Sequence, residues 1–207
     1  MAGTSGRGSG ARGAVFDHLA VGCTRLADGV AHLEAALGVR LAPGGRHPDF
    51  GTHNRLLSLG PGEYLEVIAA DPEAPAPGRP RWFDLDRFEG PPRLAAWIVR
   101  VPDLAAAGAP GEIRDLARGA YRWRMAVPAD GVLPVDGLHP AMIAWRGPHP
   151  ADALPDAGCR LGALVLRHPE PERLAALPGA DDPRVTVEAG PPGLAARIDR
   201  PNGPAWI

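Results

Sequence analysis

Apolar positions in this chain change period as the sequence is read, and each change marks an element. Val15–Gly22 is a nearly continuous apolar run interrupted by Asp17 and His18, which predicts a strand. Leu26, Val30, Leu33, Glu34 and Leu37 then fall near helical spacing. Ala35 and Ala36 add helix propensity, and Gly38 is a stop. Val39-Arg40-Leu41 reads as a short strand and Gly44–Pro48 as a loop. His53–Leu59 and Tyr64–Ala69 read as paired strands around a Pro61-Gly62 turn. Residues 14–70 therefore form a β-α-β-β-β module.

The order then recurs. Residues 71–92 are a proline-rich linker whose Trp82-Phe83 pair anchors it to the domain. Residues 93–150 carry strands at Leu94–Val101, Glu112–Leu116, Tyr121–Val127 and Met142–Trp145, with a short helix at Asp103–Ala107. One constant shift lays Leu26 on Leu104, Glu66 on Ala144 and Asp71-Pro72 on His149-Pro150, which marks an internal repeat. Residues 159–207 suggest a third, shorter βαβ(β) module: a strand at Leu161–Arg167, a helix at Glu170–Leu177, and strands at Val185–Glu188, Leu194–Asp199 and Pro204–Ile207. The start, residues 1–13, is rich in Gly, Ser and Arg with no apolar signal core and reads as a disordered tail. The expected fold class is α+β, with tandem modules building one structural domain over 14–207.

Composition mainly excludes. The chain has 207 residues, 45% hydrophobic and 22% charged, with a formal net charge of -2. That balance offers no field for nucleic acid or an anionic membrane. All 22 basic residues are arginine, which removes Schiff-base and P-loop lysine chemistry. Serine occurs only at Ser5, Ser9 and Ser58, none in a nucleophile elbow. Cys23 and Cys159 are far apart and read as reduced, buried thiols of a cytoplasmic protein. No apolar run is long enough to span a membrane.

The chemistry concentrates in His18 and Glu66, each inside an apolar run. An imidazole and a carboxylate that both point inward from a sheet must pair, bind a metal or do chemistry. Alternation puts Phe16, His18 and Ala20 on one face of their strand, and Tyr64, Glu66 and Ile68 on one face of theirs. His53 and Asn54 point to opposite faces; if Leu57 and Leu59 pack on the helix, Asn54 joins His18 and Glu66. Arg122-Trp123-Arg124 reads first as an exposed, ion-paired face, with an anion contact as the alternative.

A repeated β-α-β-β-β unit with His on its first strand and Glu on its last resembles the vicinal oxygen chelate superfamily, and within it the glyoxalase-like group. The resemblance rests on Phe16–Val21, Leu37–Val39, Pro43–Pro48, Gly51–Asn54 and Tyr64–Ile68. Pro80–Phe83, Ile143–Trp145, His149-Pro150 and Arg167–Pro169 add to it. It implies a curved, cupped mixed sheet with helices on the convex side, closed into a bowl around a small oxygen-rich substrate. It also implies a divalent metal (Zn, Mn, Ni or Fe) bound by His18 and Glu66, with His53 as a candidate third ligand. Catalysis would then fall to His18 and Glu66, with Asn54, Tyr64 and Trp145 on the substrate, in a lyase, isomerase or dioxygenase reaction.

The chain departs from that pattern in its second half. The repeat register puts Ala96 at the His18 position and Ala144 at the Glu66 position, and the third module offers Ala163 and Arg197. Three arrangements stay open. A loop histidine (His47, His53, His139 or His149) completes a metal site; a metal-free acid–base or hydrogen-bonding pair works alone; or the site is degenerate. The alternative function is a metal-free small-molecule binding or sequestration protein. The third module would cap the bowl or make a homodimer contact.

Overall fold

The computed structural model describes residues 13–207, so the proposed tail lies outside the described residues apart from Gly13. Strand β1 (Val15–Gly22) leads into helix α1 (Leu26–Leu37). The helix forms where apolar spacing predicts it, and Leu33 and Leu37 are buried. It stops at Gly38, whose φ of 68° is left-handed and whose N–H closes the last turn on the Glu34 carbonyl. Strands β2 (Ala42–His47), β3 (Thr52–Gly60) and β4 (Glu63–Ala70) complete the first module. The Gly44–Pro48 stretch expected to be a loop is mostly β2, and Val39–Leu41 lies outside it. A bulge between Pro43 and Arg46 explains the difference: Gly44, pressed against Asn54, has no room for a side chain.

The second module supplies β5 (Arg93–Arg100), β6 (Glu112–Arg118), β7 (Tyr121–Val127) and β8 (Ala141–Arg146). All eight strands form one curled sheet, ordered β2-β3-β4-β1-β5-β8-β7-β6. β1 runs parallel to β4 and antiparallel to β5, so the two modules join edge to edge at their first strands.

The expected helix at Asp103–Ala107 is only a turn, held by the Asp103 carboxylate accepting from the N–H groups of Ala105 and Ala106. Five residues before a Gly-Ala-Pro break cannot sustain a helix, and the space it would fill is taken. Strands β9 (Arg160–His168), β10 (Val185–Ala189), β11 (Gly193–Asp199) and β12 (Ala205–Trp206), with the short helix α2 (Glu172–Ala175), form a separate sheet ordered β10-β9-β11-β12. Leu161, Leu164, Leu166, Leu174, Ala196 and Ile198 from this unit share one apolar cluster with Leu33, Leu37, Trp97, Val99 and Met142. Arg184 pairs bidentately with Glu63 at 2.8 Å, and Arg200 donates to the Leu37 carbonyl at the end of α1. The second module's convex face is thus covered by a sheet, not a helix.

The concave side has its own cluster. Ala20, Ile68, Ala96, Ile98, Met125, Ala141 and Ile143 line it, and Trp82, Phe83 and Leu85 from the linker fill it. Trp82 stacks on Phe50 at 4.0 Å. The linker anchor is therefore core to the bowl. Phe83 and Asp84 adopt left-handed backbone, φ 59° and 57°, to make the required bend.

Candidate functional site

The site begins with a defect in strand pairing. Between Phe16 and His18 the register of β1 against β5 shifts by one residue. That bulge breaks the expected alternation: Phe16 packs in the convex cluster with Leu19 and Val21, while His18 turns into the bowl. The extra residue, Asp17, is fully buried beside His18. His18 Nδ1 lies 2.7 Å from Asp17 Oδ1. Asp17 Oδ2 accepts from Trp145 Nε1 at 3.1 Å, from His149 Nε2 at 3.2 Å and from Arg100 Nη1 at 3.4 Å. Burial raises the Asp17 pKa, but the hydrogen bonds and charges of His149 and His18 outweigh it and hold the carboxyl far below the ordinary carboxylate range.

On β4 the alternation holds. Tyr64, Glu66 and Ile68 face inward and Leu65 and Val67 face the convex cluster. Glu66 Oε1 lies 3.7 Å from His18 Nε2, and Glu66 Oε2 accepts from Asn54 Nδ2 at 2.7 Å. The Tyr64 ring stacks on His18 with centroids 4.2 Å apart, its hydroxyl 3.4 Å from Nε2. Burial opposes charge on His18, yet bonding to Asp17 and Glu66 raises its pKa. Burial likewise opposes ionisation of Glu66, and the bond and charge of His18, helped by His47 and Asn54, lower it. The result is a buried line in which two carboxylates flank an imidazole and favour its protonated form.

Asn54 is held rigidly. Its Oδ1 accepts from the Gly45 N–H at 2.9 Å and from Arg118 Nη1 at 3.0 Å, which orients its amide toward Glu66. Arg118 Nη1 also lies 3.2 Å from His47 Nε2, and His47 Nδ1 lies 3.1 Å from Thr52 Oγ1. Burial takes the His47 pKa down to about 4. A neutral His47 accepting from Arg118 and donating to Thr52 satisfies both contacts.

His18, His47, Asn54, Tyr64, Glu66, Arg118, Trp123 and Trp145 surround a chamber of about 30 Å³, closed by Trp82 and Phe83. Of the residues singled out in sequence, His18, Glu66, Asn54, Tyr64 and Trp145 meet here and His53 does not. His53 points to the convex side with Leu57 and Leu59, 4.0 Å from Asp71, and lines a separate hollow of about 660 Å³. Ala144 also faces outward, so it is not the counterpart of Glu66. The shift that carries His18 onto Ala96 carries Ala20 onto Ile98; Ala20 pairs with Glu66 and Ile98 with Ala141. Ala141 faces the bowl and, like Ala96, cannot ligate. Arg122 is exposed and Arg124 reaches toward Asp115, both outside the bowl.

The donor set does not fit a divalent metal. Glu66 Oε2 is committed to Asn54, and Asp17 is saturated by four donors. The free lone pair of His47 faces a guanidinium. Among the described residues no three His, Cys, Asp or Glu side chains converge as ligands would.

A family model described as a glyoxalase-like domain matches residues 16–178. The chain belongs to the glyoxalase-like domain family. This glyoxalase-like protein matches no curated protein sequence. Among solved structures it resembles a hypothetical protein from Staphylococcus aureus at 13% identity and TM-score 0.53, over 78% of this chain and 72% of that one. A methylmalonyl-CoA epimerase from Mycobacterium tuberculosis aligns at 19% identity and TM-score 0.42, over 64% and 88%. The Staphylococcus likeness bears on fold alone. No helix among the described residues of the glyoxalase-like protein is long and apolar enough to cross a membrane.

Proposed function

We propose that the chamber performs metal-independent proton transfer on a small oxygen-rich molecule, as an isomerase or lyase step. The observation that carries this reading is the buried Asp17–His18–Glu66 line, in which neighbours favour both a protonated imidazole and an ionised carboxylate. Opposite protonation states set side by side are what acid–base chemistry needs. Glu66 takes the proton from a carbon next to a carbonyl, and His18 Nε2–H gives a proton to the carbonyl oxygen, leaving an enol. Return of both protons completes an isomerisation; in an elimination the enol hydroxyl proton returns to His18 as the β-substituent leaves, taking the proton held by Glu66. Asp17 fixes the imidazole through Nδ1, and Asn54 aims Glu66.

The test is hydrogen exchange. The protein, treated with EDTA, is incubated in D2O with small 2-oxo acids and α-hydroxycarbonyl compounds, and loss of the C–H signal is followed by NMR. Exchange that disappears in Glu66→Gln and His18→Gln is expected. Exchange that both variants retain, or that EDTA abolishes, overturns the reading. Sequestration without turnover is the second reading, and the apolar Ala96 and Ala141 wall favours it. It predicts thermal stabilisation by a ligand that is recovered unchanged.

A further inference from the structure

We propose that Arg118 is the anion-recognition residue of the chamber, so that the ligand is a small 2-oxo carboxylate held by the guanidinium, with its keto oxygen presented to His18 and its enolisable carbon to Glu66. This deepens the proton-transfer reading and rests on it.

Arg118 is placed in the chamber wall without a carboxylate of its own. It is partly buried, yet among the described residues no carboxylate lies within ion-pair distance of it. Among the described residues its side-chain hydrogen-bond partners are neutral acceptors, Asn54 Oδ1 and His47 Nε2, both on the same nitrogen, Nη1, and the Tyr121 ring centroid lies 5.7 Å from its guanidinium carbon. Nε and Nη2 make no hydrogen bond within the described residues. These two donors form one planar edge of the guanidinium, the edge that matches a carboxylate bidentately.

The charges around the chamber leave room for an anion. Asp17 is already matched by Arg100, and Glu66 faces His18, whose neighbours raise its pKa, so the charge of Arg118 has no carboxylate of its own. The location is also suited to entry. Arg118 ends β6, one edge of the curled sheet, and approaches β2, the other edge, at Gly45. It is the residue shared by the chamber and an outer hollow of about 280 Å³ that includes Pro43, Leu56, Tyr121 and Leu154. A solute arriving through that seam meets the guanidinium first. The second module thus contributes a fixed cation, where its Ala96 and Ala141 contribute no metal ligand.

The experiment uses matched acids and amides: pyruvate and 2-oxobutyrate against their neutral amides. Binding is read by intrinsic fluorescence, since Trp82, Trp123 and Trp145 line the chamber. At least one acid binds the unmodified protein about ten-fold or more tighter than its amide. Arg118→Met loses that preference, acid and amide then binding alike, and Arg118→Lys, which keeps the charge, retains part of it. Overturning results are acid and amide binding the unmodified protein alike, no member of any pair binding, or Arg118→Met keeping the preference. Hydrogen exchange separates the two readings. Exchange lost in Glu66→Gln but indifferent to ligand charge sinks the Arg118 assignment alone. Arg118-dependent carboxylate binding with no exchange sinks the proton-transfer reading alone.

Discussion

Replacing Asp17 with asparagine changes almost no volume and removes one buried charge. The carboxylate takes a contact from His18 at 2.7 Å and three more from Trp145, His149 and Arg100. Asparagine offers one acceptor oxygen and turns an NH2 toward groups that are themselves donors. Removing one partner of a buried charge pair leaves the other uncompensated, at a cost of about 3 kcal/mol or more. In a chain of this length that corresponds to a fall in Tm of about 6–12 °C. A second effect is specific to the site. With Asp17 neutral, only Glu66 still opposes the effect of burial on His18, and its raised pKa falls. Side-chain 15N NMR of His18 and a thermal melt of Asp17→Asn read the two effects independently. An unchanged His18 titration would refute the claim that the β1 bulge exists to place Asp17 on the imidazole, whatever the melt shows. A Tm within about 2 °C of the parent would refute the energetic argument.

Other outcomes follow from the same geometry. Asp17 and Glu66 have lowered pKa values, so their stabilisation is present above 3.8 and 4.5 and is lost as pH falls through the lowered values. His18 has a raised pKa, so its contribution is complete below 6.5 and fades as pH rises through the raised value; all three act together between 4.5 and 6.5. His47 works the other way: its pKa near 4 means stability drains away as pH falls from 6.5. The loss is about 3 kcal/mol when complete. His47→Gln removes that loss, and an identical acid-side slope in denaturant titrations of the two proteins would count against it. Trp82→Ala empties the space between Phe50 and the chamber and costs about 3–5 kcal/mol in urea unfolding; a cost under about 1 kcal/mol would show that the linker is not core. Adding Zn²⁺, Mn²⁺, Ni²⁺ or Fe²⁺ shifts Tm by less than about 1 °C, and a rise of several degrees with any of them would contradict the donor-set argument.

Local pattern carried a great deal of this fold. The spacing of Leu33 and Leu37, the stop at Gly38 and the paired runs around Pro61-Gly62 lie where the chain folds them. Asn54 and Glu66 come together because Leu57, Leu59, Leu65 and Val67 must all face α1 and the convex cluster, and strict alternation does the rest. What pattern does not show is a shift of register. A bulge has no distinct residue signature in Phe16-Asp17-His18, so Asp17 looks like a residue turned away from His18. The three-residue difference between Ala144 and Ala141 is of the same kind, since it depends on how loops shorten between strands. Arg118 escapes notice for a different reason. Its partners are 64 and 71 residues away, and only closure of β6 toward β2 brings them within reach. The arginines that alternation does single out, Arg122 and Arg124, flank Trp123, and it is Trp123 that faces the bowl.

These departures share one cause, the unequal fate of the two halves. The first module keeps its helix and its inward polar side chains. The second has no helix and, Arg118 aside, no inward charged side chain, and each loss is covered from elsewhere in the chain. Trp97, Val99 and Met142 on its convex face would be exposed without the 160–207 sheet, whose Leu164, Leu166 and Ile198 bury them in place of a helix. On its concave face the alanines leave space that Trp82 and Phe83 occupy, shrinking the bowl to a chamber of about 30 Å³. Such a volume holds roughly one water molecule. A ligand of several heavy atoms must therefore displace part of the linker or open the seam at Arg118. The two routes differ in which mutations matter: if the linker yields, Trp82→Ala speeds ligand association, and if the seam yields, a cross-link between β2 and β6 slows it. Stopped-flow fluorescence on those two variants decides between them, and an association rate unchanged in both would mean that the chamber does not admit the ligand at all.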